Sequence, residues 1–384
     1  MEKVSFDNPL RQQCMSLPAL AAPQLEGVRK GLAEAFREGE LRQIRRVILT
    51  GCGDSYVAGI AAVPAFRKFA GKFGSNFEAV RAIDAARYLT FDPKQSSATL
   101  VVGISCSGGP ARIQEILRRA NHYGCMTLAL TNNPQSPAAL EANHRLIVHT
   151  PDFPNASPGL RNYYASLTGL YLLAAALGEA TGCSAPGTQD AMAQAIETYT
   201  AAWADKLEAM DDQMFALAQT WKDFESYDFI GDDIQYASAF FMGAKIVEVA
   251  GKMYNTDDSE DWCHVGFFQA HPEKIGTVLV ADKNANDRSR IGETVKQAAG
   301  IGRPILLIAN GTREDFGITQ EINLCTVPEA PEGYEFLLSL MNYVPGALLA
   351  GYLSTMTGEP FFRGGGTWSQ PGNNTIRISK LEIV

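Results

Sequence analysis

Apolar residues in this chain fall into two kinds of segment that take turns. Short consecutive runs such as "RRVILTG" and "ATLVVGIS" are unbroken, the pattern of strands buried on both faces. Segments with helical spacing follow them. "YVAGIAAVPAFRKFA" comes after the first run and "PARIQEILRRANHYG" after the second. In the latter, Ile113, Ile116, Leu117 and Ala120 share one helix face, while Gln114, Glu115, Arg118 and Arg119 point elsewhere. Gly124 is the expected helix stop. "MTLALTN" and "HRLIVHT" read as two more strands. This rhythm predicts an α/β fold, a parallel sheet flanked by helices in an α-β-α sandwich.

The stretch 177–189, "LGEATGCSAPGTQ", is rich in Gly, Ser, Thr and Pro and reads as a link. After a helical segment the rhythm restarts. "YDFIGDD", "IGTVLVAD" and "PILLIAN" are expected strands; "QYASAFFMGAKIVEVAGK" and "RSRIGETVKQAAGIG" are expected helices. The chain therefore divides into residues 1–188, an amino-terminal segment with a first domain, and 189–384, a second domain with a carboxyl tail. "LTGCGDSYVAG" and "FIGDDIQYASA" occupy matching places, so the halves are a candidate duplication. They differ in chemistry. In the first half a strand runs into "SCSGG"; in the second, the matching strand runs into "DKNANDR", where Asp282 and Asp287 would repel a phosphate.

Composition narrows the function. The chain has 384 residues, 46% hydrophobic and 20% charged, as in ordinary globular proteins. A net charge of −9 and the lack of a basic block argue against nucleic-acid binding. The start, "MEKVSFDNPLRQQ", has no apolar signal segment, and "LTGLYLLAAALG" falls short of the roughly 18–20 residues of a membrane span. Seven scattered cysteines without a C-x-x-C pair suit a reduced, cytoplasmic compartment and no zinc site. Glu260, Asp261, Cys263 and His264 lie close in sequence, but a capped helix start is the expected reading, so no metal is expected there. His271, beside Pro272, reads as a turn residue.

Open parallel sheets bind ligands beyond the carboxyl ends of their strands. Two first-half loops are expected to meet there, "GCGDS" (51–55) and "SCSGG" (105–109). Helix-start N–H groups, the helix dipole and the hydroxyls of Ser105 and Ser107 would favour a phosphate, with glycines allowing close approach. From a single loop, a plain helix cap and turn is the alternative. Neither the dinucleotide fingerprint nor the Walker pattern is present.

"GCGDSYVAG" resembles the C-G-T-S-Y loop of sugar isomerase (SIS) domains, and "ISCSGGPARIQEILRRANHYGCMTLALTN" resembles their S-x-S-G-x-T segment. "GAKIVEVAG" is similar to the G-A-x-K-x-x-E helix of double-SIS phosphosugar enzymes, one residue shorter before the lysine, and "CHVGFF" stands where they have H-G-P. The resemblance covers about residues 30–384. It points to the isomerase part of glucosamine-6-phosphate synthase and to fructosamine-6-phosphate deglycases, with no glutaminase domain expected ahead of it.

That resemblance implies two SIS-type domains, no cofactor, and a homodimer or larger homo-oligomer with sites at subunit interfaces. It implies that Gly53 and Ser55 contact sugar or phosphate, and that Ser105, Cys106, Ser107 and Gly108 form the phosphate loop; Asp54, standing for a family threonine, is expected to meet a sugar hydroxyl or a substrate amine. Lys245 and Glu248 match the family's lysine and glutamate. His264 follows Glu248 by sixteen residues, the family's interval. Glu248 would then move a proton between adjacent sugar carbons, and His264 would assist ring opening. Outside that context, Lys245 and Glu248 read as an ordinary ion pair and His264 as a structural histidine. Arg161, in "TPDFPNASPGLRNYY", falls where a basic residue often stands; a surface turn is the alternative.

Departures shape the expectation. The family's threonines are Asp54 and Pro110 here, with Pro110 expected at a first helical position and Arg112 a candidate replacement charge. H-G-P is His264-Val265-Gly266. The tail has no clean match to the synthase's Schiff-base lysine; Arg377 and Lys380 are nearest. The reading is a sugar-phosphate enzyme, a deglycase ahead of an isomerase or deaminase. The alternative is a non-catalytic sugar-phosphate sensor.

Overall fold

The computed structural model describes residues 2–72, 74–362 and 380–383. Its first sheet holds five strands, β1 (Arg46–Gly51), β2 (Asn76–Arg81), β3 (Thr99–Ile104), β4 (Met126–Thr131) and β5 (His144–Ile147). Their order is β2-β1-β3-β4-β5, and every pairing is parallel. The second sheet holds β6 (Ser226–Gly231), β7 (Met253–Asp257), β8 (Ile275–Ala281), β9 (Ile305–Ala309) and β10 (Asn323–Thr326). It is ordered β10-β9-β8-β6-β7 and is also parallel throughout. Read from its other edge, the second order repeats the first. The α/β architecture with two helix-flanked parallel sheets is thus the one the hydrophobic rhythm predicts.

The central strands are visible in the sequence, and so is β5, an edge strand read from "HRLIVHT". β3 and β8 are buried along their whole length, as continuous apolar runs require. β2, β7 and β10 escape that reading. Each lies at a sheet edge, and their residues are mostly half-exposed. An edge strand has one neighbour and needs no apolar run, so "NFEAVR", "MYNTD" and "NLCT" carry no strong signal.

Contacts divide the chain into two compact units. One, here the first unit, carries the first sheet and comprises residues 19–154, 161–198 and, among the described tail, 380–383. The other, the second unit, carries the second sheet and comprises residues 2–18, 155–160 and 199–362. In the second unit the amino-terminal segment is tied in by charge: Arg11 Nε donates to Asp211 at 2.9 Å and Lys3 Nζ at 2.7 Å, with Asp211 fully buried. The stretch 177–189, expected as a link, is helical up to Thr181 and again from Thr188. The turn is confined to the residues between, where Gly182 (φ +67°) and Gly187 (φ +91°) take left-handed conformations.

Cores form where helices cover the sheets. In the first unit Ile48, Val101, Ile116 and Ala120 pack together. In the second unit Ile230, Leu279, Val295, Leu307 and Trp262 do so. The segment Glu335–Thr357 is long and apolar enough to cross a membrane, with mean hydropathy 1.4, yet its apolar window is entirely buried within the protein. It serves as a core helix.

Candidate active site

Glycines shape the first-unit loops. At Gly51 a Cβ would sit 2.5 Å from the backbone carbon of Ser55. The strand can pass beneath the following helix, Asp54–Ala70, only without a side chain. Gly53 caps that helix with φ +52° and ψ −127°, and its carbonyl accepts from Tyr56 N at 2.9 Å. Gly108 has φ +61°, and a Cβ there would meet Ser136 Oγ at 2.0 Å.

Ser105 and Ser107 fold the loop rather than cap a helix. Ser105 is 5% exposed, and its hydroxyl accepts from Gly108 N–H at 3.1 Å. The exposed Ser107 hydroxyl accepts from Gly109 N–H at 3.3 Å. The helix Ala111–His122 then starts without a side-chain cap. Pro110 stands at its N-cap, one residue ahead of the first helical position expected for it. The helix start therefore keeps uncapped donors, an arrangement that suits an anion.

Two loops expected to meet do converge, because β1 and β3 are neighbours. Electrostatics register the proximity. Burial, reinforced by the charge of Asp54, holds the Cys106 thiol above its usual range. Burial also raises the Cys52 thiol, against a weaker opposing pull from Arg112. Asp54 and Ser55 are half-buried at the start of their helix.

The two arginines proposed for the substrate are engaged elsewhere in this unit. Arg112 pairs with the fully buried Glu115, and its other nitrogen donates to the Lys380 carbonyl at 2.5 Å. Glu115 is also bound by Arg87 Nε at 2.6 Å and accepts from Glu382 N at 3.0 Å. Arg112 thus helps hold residues 380–383, while Arg377 lies outside the described residues. Arg161 is 8% exposed, stacks 4.4 Å over the Phe153 ring and donates to Pro151 O at 3.4 Å. Burial lowers its pKa. It braces its own loop, rather than lying on the surface.

In the second unit, Lys245 ends the helix Ile234–Lys245, and a π-helical turn, Ile246–Ala250, carries Glu248. Such turns often mark functional positions. Lys245 has no solvent exposure; its ammonium bonds Glu248 and lies 4.7 Å over the Phe241 ring. Glu248 keeps 34% of its side chain exposed. The result is a carboxylate with a fixed counter-charge on its protein side and an accessible outer edge.

His264 closes the short helix Ser259–His264, and 68% of its side chain is exposed. Its Nε2 lies 3.0 Å from Glu260 Oε1, and Glu260 also pairs with Arg290 at 2.7 Å. Asp258 caps this helix, accepting from Glu260 N and Asp261 N at 2.9 and 2.8 Å. His271 adopts a left-handed turn (φ +58°) before Pro272. A carboxylate trio close enough to share an ion, Asp257, Asp258 and Asp261, overlaps the suspected acidic stretch only at Asp261.

A buried network near His264 had no sequence signal. Arg303 Nη1 and Trp262 Nε1 both donate to Asp228 Oδ2, at 2.9 and 2.8 Å. Arg303 Nη2 reaches the Gly266 carbonyl at 2.9 Å, and Gln269 donates to Asp228 at 3.2 Å. These bonds tie the turn after His264 to β6. Asp228 sits inside an apolar strand and Arg303 ahead of another, so only long-range pairing reveals them.

Comparison with known proteins agrees with this geometry. Residues 40–176 match the SIS domain family. The chain is 25% identical over 329 residues to a glutamine–fructose-6-phosphate aminotransferase (isomerizing) of Methanosarcina acetivorans, covering 82% of this chain and 49% of that protein. It spans about half the length of the curated relatives it matches. The fold is similar to the C-terminal domain of glucosamine-fructose-6-phosphate aminotransferase from Francisella tularensis, with TM-score 0.80, 14% identity and coverage of 94% and 100% of the two chains. It is also similar to a glucosamine-6-phosphate deaminase from Thermotoga maritima, with TM-score 0.64, 12% identity and coverage of 91% and 96%. Residues 40–176 thus form an SIS domain, and the second sheet repeats the strand order of the first.

Proposed function

We propose that this protein is an enzyme acting on an amine-bearing ketose or aldose 6-phosphate, by deglycation, isomerisation or deamination. The observation that carries the reading is Glu248, a carboxylate held by the buried Lys245 yet open on its outer edge. Moving a carbonyl between adjacent sugar carbons takes a proton from one carbon and returns it to the next. One positioned carboxylate does both. In a deglycase or deaminase the same transfer leads to an imine that water splits, releasing the amine.

The loop 105–109, with the uncapped start of the Ala111–His122 helix, is assigned to the phosphate. Ser107 offers its exposed hydroxyl; Ser105 sets the loop's shape. Gly53, Ser55, Cys106 and Gly108 complete that surface, and Asp54 is assigned to a sugar hydroxyl or the substrate amine. Arg112 and Arg161 are assigned to holding the tail and their own loop. His264 is assigned to proton shuttling on the sugar oxygens. Its exposure in this chain, beside exposed Val265 and Phe268, agrees with a homo-oligomer in which it serves a neighbouring subunit. Seven free thiols agree with a cytoplasmic setting.

The test is incubation of the protein in D2O with fructosamine 6-phosphate, fructoselysine 6-phosphate, glucosamine 6-phosphate and fructose 6-phosphate. Hexose phosphate, free amine and deuterium at the sugar carbons are read by NMR. Turnover with deuterium incorporation, lost in Glu248→Gln, is expected. Binding of these compounds with no turnover would replace the reading by that of a sensor.

A further inference from the structure

The loop after β6 copies the loop after β1 position by position. Gly231 ends its strand as Gly51 does: a Cβ there would lie 2.7 Å from the Gln235 carbonyl oxygen. Asp233 has φ +44° and ψ −112°, close to the φ +52° and ψ −127° of Gly53. Ser55 and Gln235 are therefore equivalent, as are Cys52 and Asp232. The sheet registers extend the match. Ile104 pairs with Leu130 and Val280 with Ile308, which aligns Cys106 with Asp282.

The second copy has opposite chemistry. A cavity of about 410 Å³ opens where the order of the second sheet reverses, lined by Asp232, Asp233, Gln235, Asp282, Asp287 and Glu335 among others. No lysine or arginine is among its lining residues. The nearby cations turn away: Lys283 pairs with Glu329, Arg288 with the Lys283 carbonyl, and Arg290 with Glu260 and Glu293. Two carboxylates are locked in place. Asp232 accepts from Ser259 N and Oγ at 2.7 and 2.6 Å; Asp282 accepts from Asn284 N and Asn310 Nδ2 at 2.9 and 2.8 Å. Burial and the charges of Asp232, Asp233 and Asp282 push the Asp287 carboxyl above its usual range. A positive charge in the cavity would relieve that.

Gln235 supplies an independent sign of a ligand. It lines the cavity and is 4% exposed. Tyr199 OH donates to Asn342 Oδ1 at 3.0 Å, and Asn342 Nδ2 donates to Gln235 Oε1 at 3.2 Å. In this arrangement Gln235 Nε2 is a buried donor with no acceptor. Buried donors are normally satisfied. A bare ion fits poorly, since among the described residues the carboxylate trio tight enough to share one is elsewhere, at Asp257, Asp258 and Asp261. The volume suits a small organic molecule.

We propose that this crevice binds a small organic ammonium compound, the ammonium among the carboxylates and an adjacent hydroxyl or carbonyl oxygen on Gln235 Nε2. The site is separate from the phosphate loop and stands whether or not the proposed activity does.

The experiment is calorimetric titration of the whole protein at low ionic strength. The probes are glucosamine and ethanolamine, with glucose and ethylene glycol as neutral counterparts and Mg²⁺ as an ion control. The amines are expected to bind at least about tenfold more tightly than their neutral counterparts. Asp287→Asn and Gln235→Leu should each weaken them about tenfold, with thermal unfolding confirming that the variants fold, while Ser107→Ala leaves them unchanged. Equal affinity for neutral counterparts, binding of Mg²⁺ alone, or amine binding lost in Ser107→Ala but kept in Asp287→Asn would overturn the proposal.

Discussion

Arg303 and Asp228 form an ion pair at 2.9 Å in which neither side chain has any solvent exposure. Burial lowers the Arg303 pKa, and Asp228 works against that by charge and hydrogen bond. The pair anchors the Gly266 carbonyl and the Trp262 indole, the two sides of the turn that follows His264. Removing one partner strands the other charge. Asp228→Ala should therefore cost about 3–5 kcal/mol of unfolding free energy. Replacing both by leucine should recover part of that loss, as urea unfolding would show. An Asp228→Ala protein as stable as the parent would deny the pair its anchoring role.

Glu248→Gln keeps the side chain's shape and removes its ability to take a proton. For the proposed reaction kcat should fall by about 10²–10⁴-fold, with substrate affinity little changed. Lys245→Met should also lower kcat and in addition lower stability, since the ammonium is buried against Glu248 and Phe241. Steady-state kinetics paired with thermal unfolding separates the two effects.

Two glycines in the first unit differ in what they tolerate. Gly53 has positive φ but open space around it, whereas Gly108 combines φ +61° with Ser136 Oγ at 2.0 Å from any Cβ. Ser136 caps the helix Pro137–Glu141 through Ala139 N–H, so the clash reaches that cap as well. Gly108→Ala should cost on the order of 2–3 kcal/mol, strain plus part of a cap. Gly53→Ala should cost about 1 kcal/mol from conformation alone. Denaturation midpoints with matched slopes would rank them; the reverse order would contradict the assigned contact.

Asp287 sets a pH dependence with a defined sign. Its folded pKa lies above the ordinary 3.8 because of burial first and Asp232, Asp233 and Asp282 next. A raised carboxyl binds more protons folded than unfolded, so its contribution to stability falls as pH rises past that ordinary value. Asp287→Asn should raise the Tm at pH 7, by about 1 °C for each kcal/mol relieved in a protein of this size. The gain should shrink as pH falls through the ordinary 3.8 and vanish well below it, where the parent carboxyl is protonated in both states. Scanning calorimetry at pH 3.5 and pH 7 checks this.

Strands and helices buried in the middle of each sheet were legible because burial on both faces demands unbroken apolar runs, as in β3 and β8. The Lys245 and Glu248 pair was legible through its spacing. Of the edge strands only β5 was; β2, β7 and β10 were not, since their largely half-exposed residues obey no strict pattern. Arg112 and Arg161 show a different limit. Their charges suggested an anion, yet a guanidinium pairs with whatever the fold brings near, here Glu115 and the Phe153 loop.

Sequence alone thus determined the α/β class, the repeat and the contrast between a hydroxyl-glycine loop and an acidic one. These follow from local patterns of burial and from residue type. Only tertiary structure decided that Glu248 sits on a π turn against a buried ammonium and that Ser105 shapes its loop while Ser107 faces out. It also decided that Gln235, which lines an acidic crevice, has a buried donor without an acceptor. Each depends on groups far apart in the chain, whose distance, burial and partners no local pattern encodes.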